Sequence, residues 1–254
     1  MKLALIGGGL TGATLARELA GSGVELLWYE KSRGLGGQCS TRRSPKGRFD
    51  HGAPYFHAHS DSFQKTVRNW TEQGVVSRWD ARCAEFKDKT FHAIAGPQNR
   101  YVGIPGMNEL CKFQAGDQEC HFGQRVAQIG WEDEQWLLDF EGDRAQTRAD
   151  ALVLTTPPAQ ASHLLGSFHY YRSYLETIHT DSIWVALLNL SSPLNAGFDE
   201  ILFAEGPLEK AVRNAGKPNR EGDENWVLYG SASWSKKNLE RTAQEASQDL
   251  VNCF

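Results

Sequence analysis

The sequence lacks any apolar run approaching the roughly 18–20 residues that a membrane-spanning helix needs, which excludes a helical span. It also lacks a positive excess. With 27 Lys and Arg against 31 Asp and Glu, the net charge of −4 argues against a nucleic-acid partner, which calls for a basic excess or stripe. No C-x-x-C pair occurs among Cys39, Cys83, Cys111, Cys120 and Cys253. Their odd number fits the reduced thiols of a cytoplasmic protein better than a disulfide framework or a zinc site. Repeats and low-complexity tracts are missing too. The apolar start, Met1 to Ile6, is halted at once by three glycines, so it reads as a buried strand and not a signal peptide.

What is present is ordinary for a globular chain: 40% hydrophobic residues, 23% charged and 25 glycines in 254 residues, enough for one large domain or two interleaved ones. Lys2 to Ile6 is a strand pattern, Leu10 to Ala20 carries apolar residues at helical spacing, and Val24 to Tyr29 is a second strand closing on Glu30. Strand, glycine turn, helix and strand within 30 residues make a βαβ unit on a parallel sheet. Further on, Ser62 to Gly74 reads as a helix and Arg78 to Ala95 as irregular strands. Arg125 to Trp131, Trp136 to Glu141 and Arg144 to Arg148 form an antiparallel meander, followed by a buried strand, Ala151 to Thr155, and a helix from Ala159 to Leu165. Ser182 to Leu190 and Trp226 to Ser233 read as strands, Gly216 to Asn225 as a mobile polar loop, and Asn238 to Phe254 as a helix that ends abruptly, the mark of a shortened chain. The basic stretch Arg42 to Arg48 reads as a solvated loop, with contact to a phosphate-bearing ligand as the alternative.

The chemistry lies in Gly7–Gly8–Gly9–Leu10–Thr11–Gly12, a G-x-G-x-x-G match in the required strand–turn–helix context. Gly7 permits the tight turn, Gly9 lets a pyrophosphate approach backbone, and Gly12 lets the helix pack close to the sheet. The helix start offers unpaired N–H groups to the anion, and Glu30 stands where an acid accepts hydrogen bonds from a ribose. Six residues later Gly36–Gly37 makes a second glycine loop where a simple nicotinamide enzyme would continue into a helix.

The segment from Glu30 to Gly37 is similar to the acid-then-Gly-Gly signature of flavin amine oxidases. Gly36–Gly37–Gln38–Cys39–Ser40–Thr41–Arg42–Arg43, then Phe49–Asp50–His51–Gly52–Ala53–Pro54–Tyr55–Phe56, resembles the renalase family more narrowly. So do Gly103 to Asn108 before a helix, Arg125–Val126, Val153 to Pro157, and Trp226 to Ser235. The resemblance implies an α/β flavoprotein with non-covalent FAD. Its Rossmann-like FAD-binding domain with a β-meander would comprise residues 1–57 and 102–160, and an interleaved α+β substrate domain residues 58–101 and 161–254. It also implies hydride transfer from a reduced pyridine-type substrate, the 2- or 6-dihydro isomers of NAD(P), with electrons passed to oxygen.

Carried over by position, the resemblance assigns the cofactor to Gly7, Gly9, Leu10, Thr11, Gly12, Glu30, Lys31, Arg33, Gly36, Gly37, Gln38, Arg43, Ala53, Pro54, Val126, Thr155 and Pro157. Two departures stand out. Gln38 occupies the place of a customary arginine, a loss of roughly 1–3 kcal/mol of charge-assisted contact, with Arg42 and Arg43 the candidates to replace it. The family's last strand, Gly-Asp turn and helix lie beyond Phe254. No catalytic acid–base pair stands out, as hydride transfer to a flavin does not require one. His51 and Tyr55 are pocket candidates, His51 equally a loop brace. Trp184 and Trp234 line either the substrate side or the core, the core being favoured. His57 and His59 form an H-x-H pair without a third metal ligand nearby. Three readings follow: a flavin oxidase of dihydropyridines, or of small amines within the same flavin class; a nicotinamide-only dehydrogenase; and a non-catalytic dinucleotide-binding remnant.

Overall fold

The computed structural model describes residues 1–166, 168–194 and 197–254. The chain divides into two compact units, Met1–Gln38 with Leu110–Thr180, and Cys39–Glu109 with Asp181–Phe254.

In the first unit the apolar segments Lys2–Ile6 and Glu25–Glu30 become neighbouring parallel strands, with Ala151–Leu154 on one side and His121–Phe122 on the other. The intervening helix, Leu10–Glu18, turns its smallest residues, Gly12, Ala13 and Ala16, inward. The expected βαβ unit is therefore present, on a Rossmann-like parallel sheet. Among the described residues Ala151–Leu154 is an edge strand and only half-buried, where the sequence read as a buried strand. The meander is as expected: Val126–Glu132, Gln135–Phe140 and Thr147–Ala149 pair antiparallel. Asp133 and Glu134 both take positive φ at its first turn, the geometry a two-residue hairpin demands. Ile6, Tyr29, Ile129, Leu138 and Phe140 share the core beneath. Pro158–Leu164 is the helix that follows, then His169–Leu175.

The second unit is built on a six-stranded sheet ordered Val185–Leu190, Glu224–Gly230, Leu208–Arg213, Glu200–Phe203, Cys83–Lys87 and Thr90–Ile94. Ile201, Leu208, Trp226, Leu228 and Leu250 form its core, closed by the helix Ala243–Cys253. The helix Asp61–Glu72 starts on the Ser60 side chain and buries Val67 and Trp70, two residues short of the expected end.

Several expectations fail here for local reasons. The stretch Arg78 to Ala95 contains a regular hairpin, because Asp88 and Lys89 accept positive φ and let Cys83–Lys87 pair with Thr90–Ile94. The strand read as Trp226 to Ser233 stops at Gly230, where Ser231 caps the helix Ala232–Lys237 by accepting the Trp234 N–H. The strand expected from Ser182 begins at Val185. The last helix begins only at Ala243, behind a capping box made by Thr242 and Glu245. Arg42 to Arg48 is no open loop: Thr41–Ser44 and Gly47–Asp50 are paired strands. Gly216 to Asn225 is not a free loop either, since Lys217, Glu224 and Asn225 are buried and Arg220 reaches inward.

Candidate functional site

In the first unit the glycine turn is shaped by contacts that only glycine allows. Gly7 has φ of +120° and donates its N–H to the Tyr29 carbonyl at 2.9 Å. Its own carbonyl accepts the indole N–H of buried Trp28 at 2.9 Å. A Cβ at Gly12 would lie 2.2 Å from that same carbonyl oxygen, so the helix can approach the turn only with glycine there. Gly9 precedes the helix with extended backbone and no side-chain cap. Among the described residues no side chain caps the first N–H groups of the helix, which lack intrahelical acceptors and carry the positive end of its dipole. Leu10 is half-buried and Thr11 exposed at this end.

Glu30 is 8% exposed, and both its oxygens are engaged. Oε2 accepts the Gly8 N–H at 2.6 Å and Oε1 the Ser32 N–H at 2.7 Å. Each carboxylate oxygen has a second acceptor site, so the pair can hold the loop and still receive hydroxyl donors. The Gly36 N–H donates to the Gly8 carbonyl at 2.9 Å, which lays the second glycine loop against the first. A Cβ at Gly37, where φ is +52°, would fall 2.8 Å from the Gly9 Cα. A Cβ at Gly9 would meet nothing closer than 3.8 Å, so this is the open side of the cradle.

The remaining expected residues of this unit surround the cradle unevenly. Thr155 props the turn, its hydroxyl donating toward the Ile6 and Gly7 carbonyls at 3.1 and 3.2 Å. Pro157 is exposed at the start of its helix, and Val126 is buried at the first pairing of the meander. Lys31 donates to Gln160 Oε1 at 3.0 Å, and Arg33 and Gln38 are exposed. Burial and the Glu30 carboxylate push the Cys120 thiol up to about 12, leaving it protonated and inert.

Arg43, His51, Ala53, Pro54, Tyr55, Trp184 and Trp234 lie in the second unit. His51, Ala53 and Pro54 are half-buried between the strands Gly47–Asp50 and Phe56–His57. Burial and the Arg42 cation lower the His51 pKa, against a smaller opposing pull from Asp50, so its imidazole is neutral at pH 7. The Tyr55 hydroxyl donates to Glu200 Oε1 at 2.7 Å, and the Arg100 guanidinium sits 4.1 Å over its ring. Burial, then Glu200, push the Tyr55 pKa far above normal, so it stays a phenol. Trp184 and Trp234 pack on the sheet core, and the Trp184 indole donates to the Asn238 carbonyl at 2.9 Å. The His57 and His59 rings stack at 5.7 Å, and among the described residues no three metal-ligating side chains converge.

Sequence reading missed a buried ionic cluster in this unit. Asp50 Oδ2 accepts from Lys217 Nζ at 2.9 Å and Arg220 at 2.6 Å, and its Oδ1 from Thr41 at 2.7 Å and the Met107 N–H at 3.0 Å. Burial alone would raise the Asp50 pKa, yet the two cations hold it far below the carboxylate range. Burial lowers Lys217 to about 8, despite its aspartate partner. Nothing in the local pattern marks Lys217 as internal.

Residues 5–70 match the family described as an NAD(P)-binding Rossmann-like domain. The whole fold is similar to several solved structures. A variant of putrescine oxidase made for redesign of cofactor binding is 10% identical, with a TM-score of 0.73, and the match covers 99% of this chain and 80% of that one. Cyclohexylamine oxidase from Brevibacterium oxydans IH-35A is 13% identical, with a TM-score of 0.71 and the same coverages of 99% and 80%. A fatty acid isomerase from P. acnes is 12% identical, with a TM-score of 0.69, covering 98% and 81%. At these identities the likeness is one of fold, and one fold carries different chemistries.

Proposed function

We propose that the chain is an FAD-dependent oxidoreductase of the cytoplasm, renalase-like, that accepts a hydride from a reduced pyridine-type small molecule, a 2- or 6-dihydro isomer of NAD(P), and passes the electrons to oxygen. The observation that supports it most is the doubled glycine loop: Gly36 hydrogen-bonds to Gly8, and Gly37 packs on Gly9 so closely that a side chain at Gly37 would meet the Gly9 backbone. A dinucleotide fits this cradle. The helix start at Leu10 to Gly12 would hold the pyrophosphate and Glu30 the ribose. Gly36, Gly37 and Gln38 would line the side toward the ring, with Lys31, Arg33, Val126, Thr155 and Pro157 around the nucleotide. When bound, FAD supplies the two-electron acceptor.

The choice between a dihydropyridine and a small amine, the substrate class that the names of putrescine and cyclohexylamine oxidases suggest, turns on whether the chain offers a base. An amine reaches the site as an ammonium ion and must give up a proton before it can be oxidised. A dihydropyridine becomes a pyridinium by losing hydride alone. Lys217 and Arg220 are committed to Asp50, and Tyr55 to Glu200, so these groups position and neutralise one another without offering a base. His51, kept neutral, is the group an amine would need.

The test is direct. The purified protein is expected to be yellow and to release flavin on denaturation; a colourless protein that takes up no added FAD would overturn the reading. Mixed anaerobically with 6-dihydro-NAD, the yellow protein should bleach, and with simple amines it should not. Bleaching by amines alone reverses the choice of substrate.

A further inference from the structure

The hairpin of the second unit sets Arg43 directly opposite Arg48, with Thr41 opposite Asp50 as the next pair on the same face. Like charges across a strand pair repel, and such a pair destabilises a hairpin unless a counter-charge stands nearby. Within the turn itself Lys46 has one, Asp223 at 3.5 Å. Among the described residues Arg43 and Arg48 have no carboxylate partner, and Asp50, the acid beside them, is consumed on its inner side by Lys217 and Arg220.

The backbone cannot splay to relieve the repulsion, because it is clamped from behind. The Arg48 carbonyl accepts from Asn214 Nδ2 at 2.6 Å, and the Lys46 carbonyl accepts from Asn225 Nδ2 at 2.9 Å and from the Asp223 N–H at 3.2 Å. Between them Gly47, at φ of +120°, bridges to Gly222, and a Cβ there would lie 2.5 Å from the Asn225 amide. Three independent contacts thus hold two guanidinium-bearing residues face to face on an exposed hairpin. Each guanidinium is a planar fork that can take phosphate oxygens in a bidentate fashion, and the register puts two of them side by side.

We infer that Arg43 and Arg48 form a clamp for the phosphate or pyrophosphate group of a small-molecule ligand, the phosphate end of the substrate. The identification of that ligand as the substrate rests on the proposed function; the clamp itself does not. A net charge of −4 over the chain sets a lone cationic pair apart from a nucleic-acid surface.

Inorganic pyrophosphate is the probe, titrated calorimetrically into the protein as purified, with sodium chloride at equal ionic strength as control. Wild type is expected to bind it, and Arg43→Gln and Arg48→Gln each to bind on the order of tenfold more weakly. Flavin content should be the same in wild type and Arg48→Gln. Without pyrophosphate, the variants should melt no lower than wild type, as they lose a repulsion. Undiminished binding in both variants would place the anion elsewhere, at the glycine loop for example, and overturn the clamp while leaving the flavin reading intact. Loss of flavin from Arg48→Gln would transfer the pair to the cofactor and overturn the clamp equally. A colourless wild type whose pyrophosphate affinity still depends on both arginines would sustain the clamp and sink the flavin reading.

Discussion

Glu30 Oε2 accepts the Gly8 N–H at 2.6 Å, which ties the end of the second strand to the middle glycine of the first turn. The Ser32 N–H on Oε1 makes the carboxylate a two-point brace within the parallel sheet. Hydrogen bonds to a charged, buried acceptor contribute about 1.5–3 kcal/mol each. Glu30→Ala should therefore lower stability by on the order of 3 kcal/mol and abolish tight dinucleotide binding, while Glu30→Gln keeps one acceptor and folds better. Thermal melts and ADP titrations of the two variants separate the effects. Equal ADP affinity in wild type and a folded Glu30→Gln would remove the ribose role.

Gly9 and Gly12 should respond oppositely to one added methyl. At Gly12 the Cβ collides with the Gly7 carbonyl at 2.2 Å, so Gly12→Ala is expected to cost at least about 2 kcal/mol of stability. At Gly9 the nearest atom is 3.8 Å away, so Gly9→Ala should fold at a cost of about 0.5–1 kcal/mol, the helix-cap preference. The methyl would then stand on the open side of the cradle, and flavin content should fall sharply. A Gly9→Ala protein with full flavin places the pyrophosphate elsewhere.

The buried Asp50, Lys217 and Arg220 cluster should be costly to break by halves. Removing one partner of a buried ion pair leaves an uncompensated charge, at about 3–5 kcal/mol. Lys217→Met and Asp50→Asn should each lower the melting temperature by many degrees, and the double variant by less than the sum of the two.

The same cluster dictates an acid limb. The folded-state pKa of Asp50 lies below its ordinary value of 3.8, so the unfolded chain takes up its proton first. Its stabilisation is fully present above that value and is lost progressively as pH falls from there through the lower folded-state pKa. The stability gap between wild type and Asp50→Asn should accordingly narrow as pH falls below about 4, as followed by denaturant melts. A gap that stays constant with pH would deny the aspartate its charge.

His51 gives a kinetic test. Under the dihydropyridine reading His51→Gln should leave the anaerobic reduction rate of the flavin nearly unchanged, as no proton is transferred. A fall of roughly 100-fold or more would mark a general base and support an amine substrate.

What the sequence by itself determined is the part built from neighbours in the chain. Strand, glycine turn, helix and Glu30 lie within 30 residues, and the meander is three consecutive strands, so periodicity and turn chemistry suffice to read them. The candidate dinucleotide cradle was legible for that reason. Only the tertiary structure decided the second unit. Asp50 and Lys217 are 167 positions apart, and Gly216 to Asn225, polar and without an apolar anchor, looks like solvent-exposed chain. It is internal because a buried carboxylate attracts its two cations, an attraction that depends on distance in space and leaves no periodic trace along the chain. The facing arginines of the hairpin were hidden likewise, since cross-strand register comes from the turn at Gly47 and the asparagines behind it.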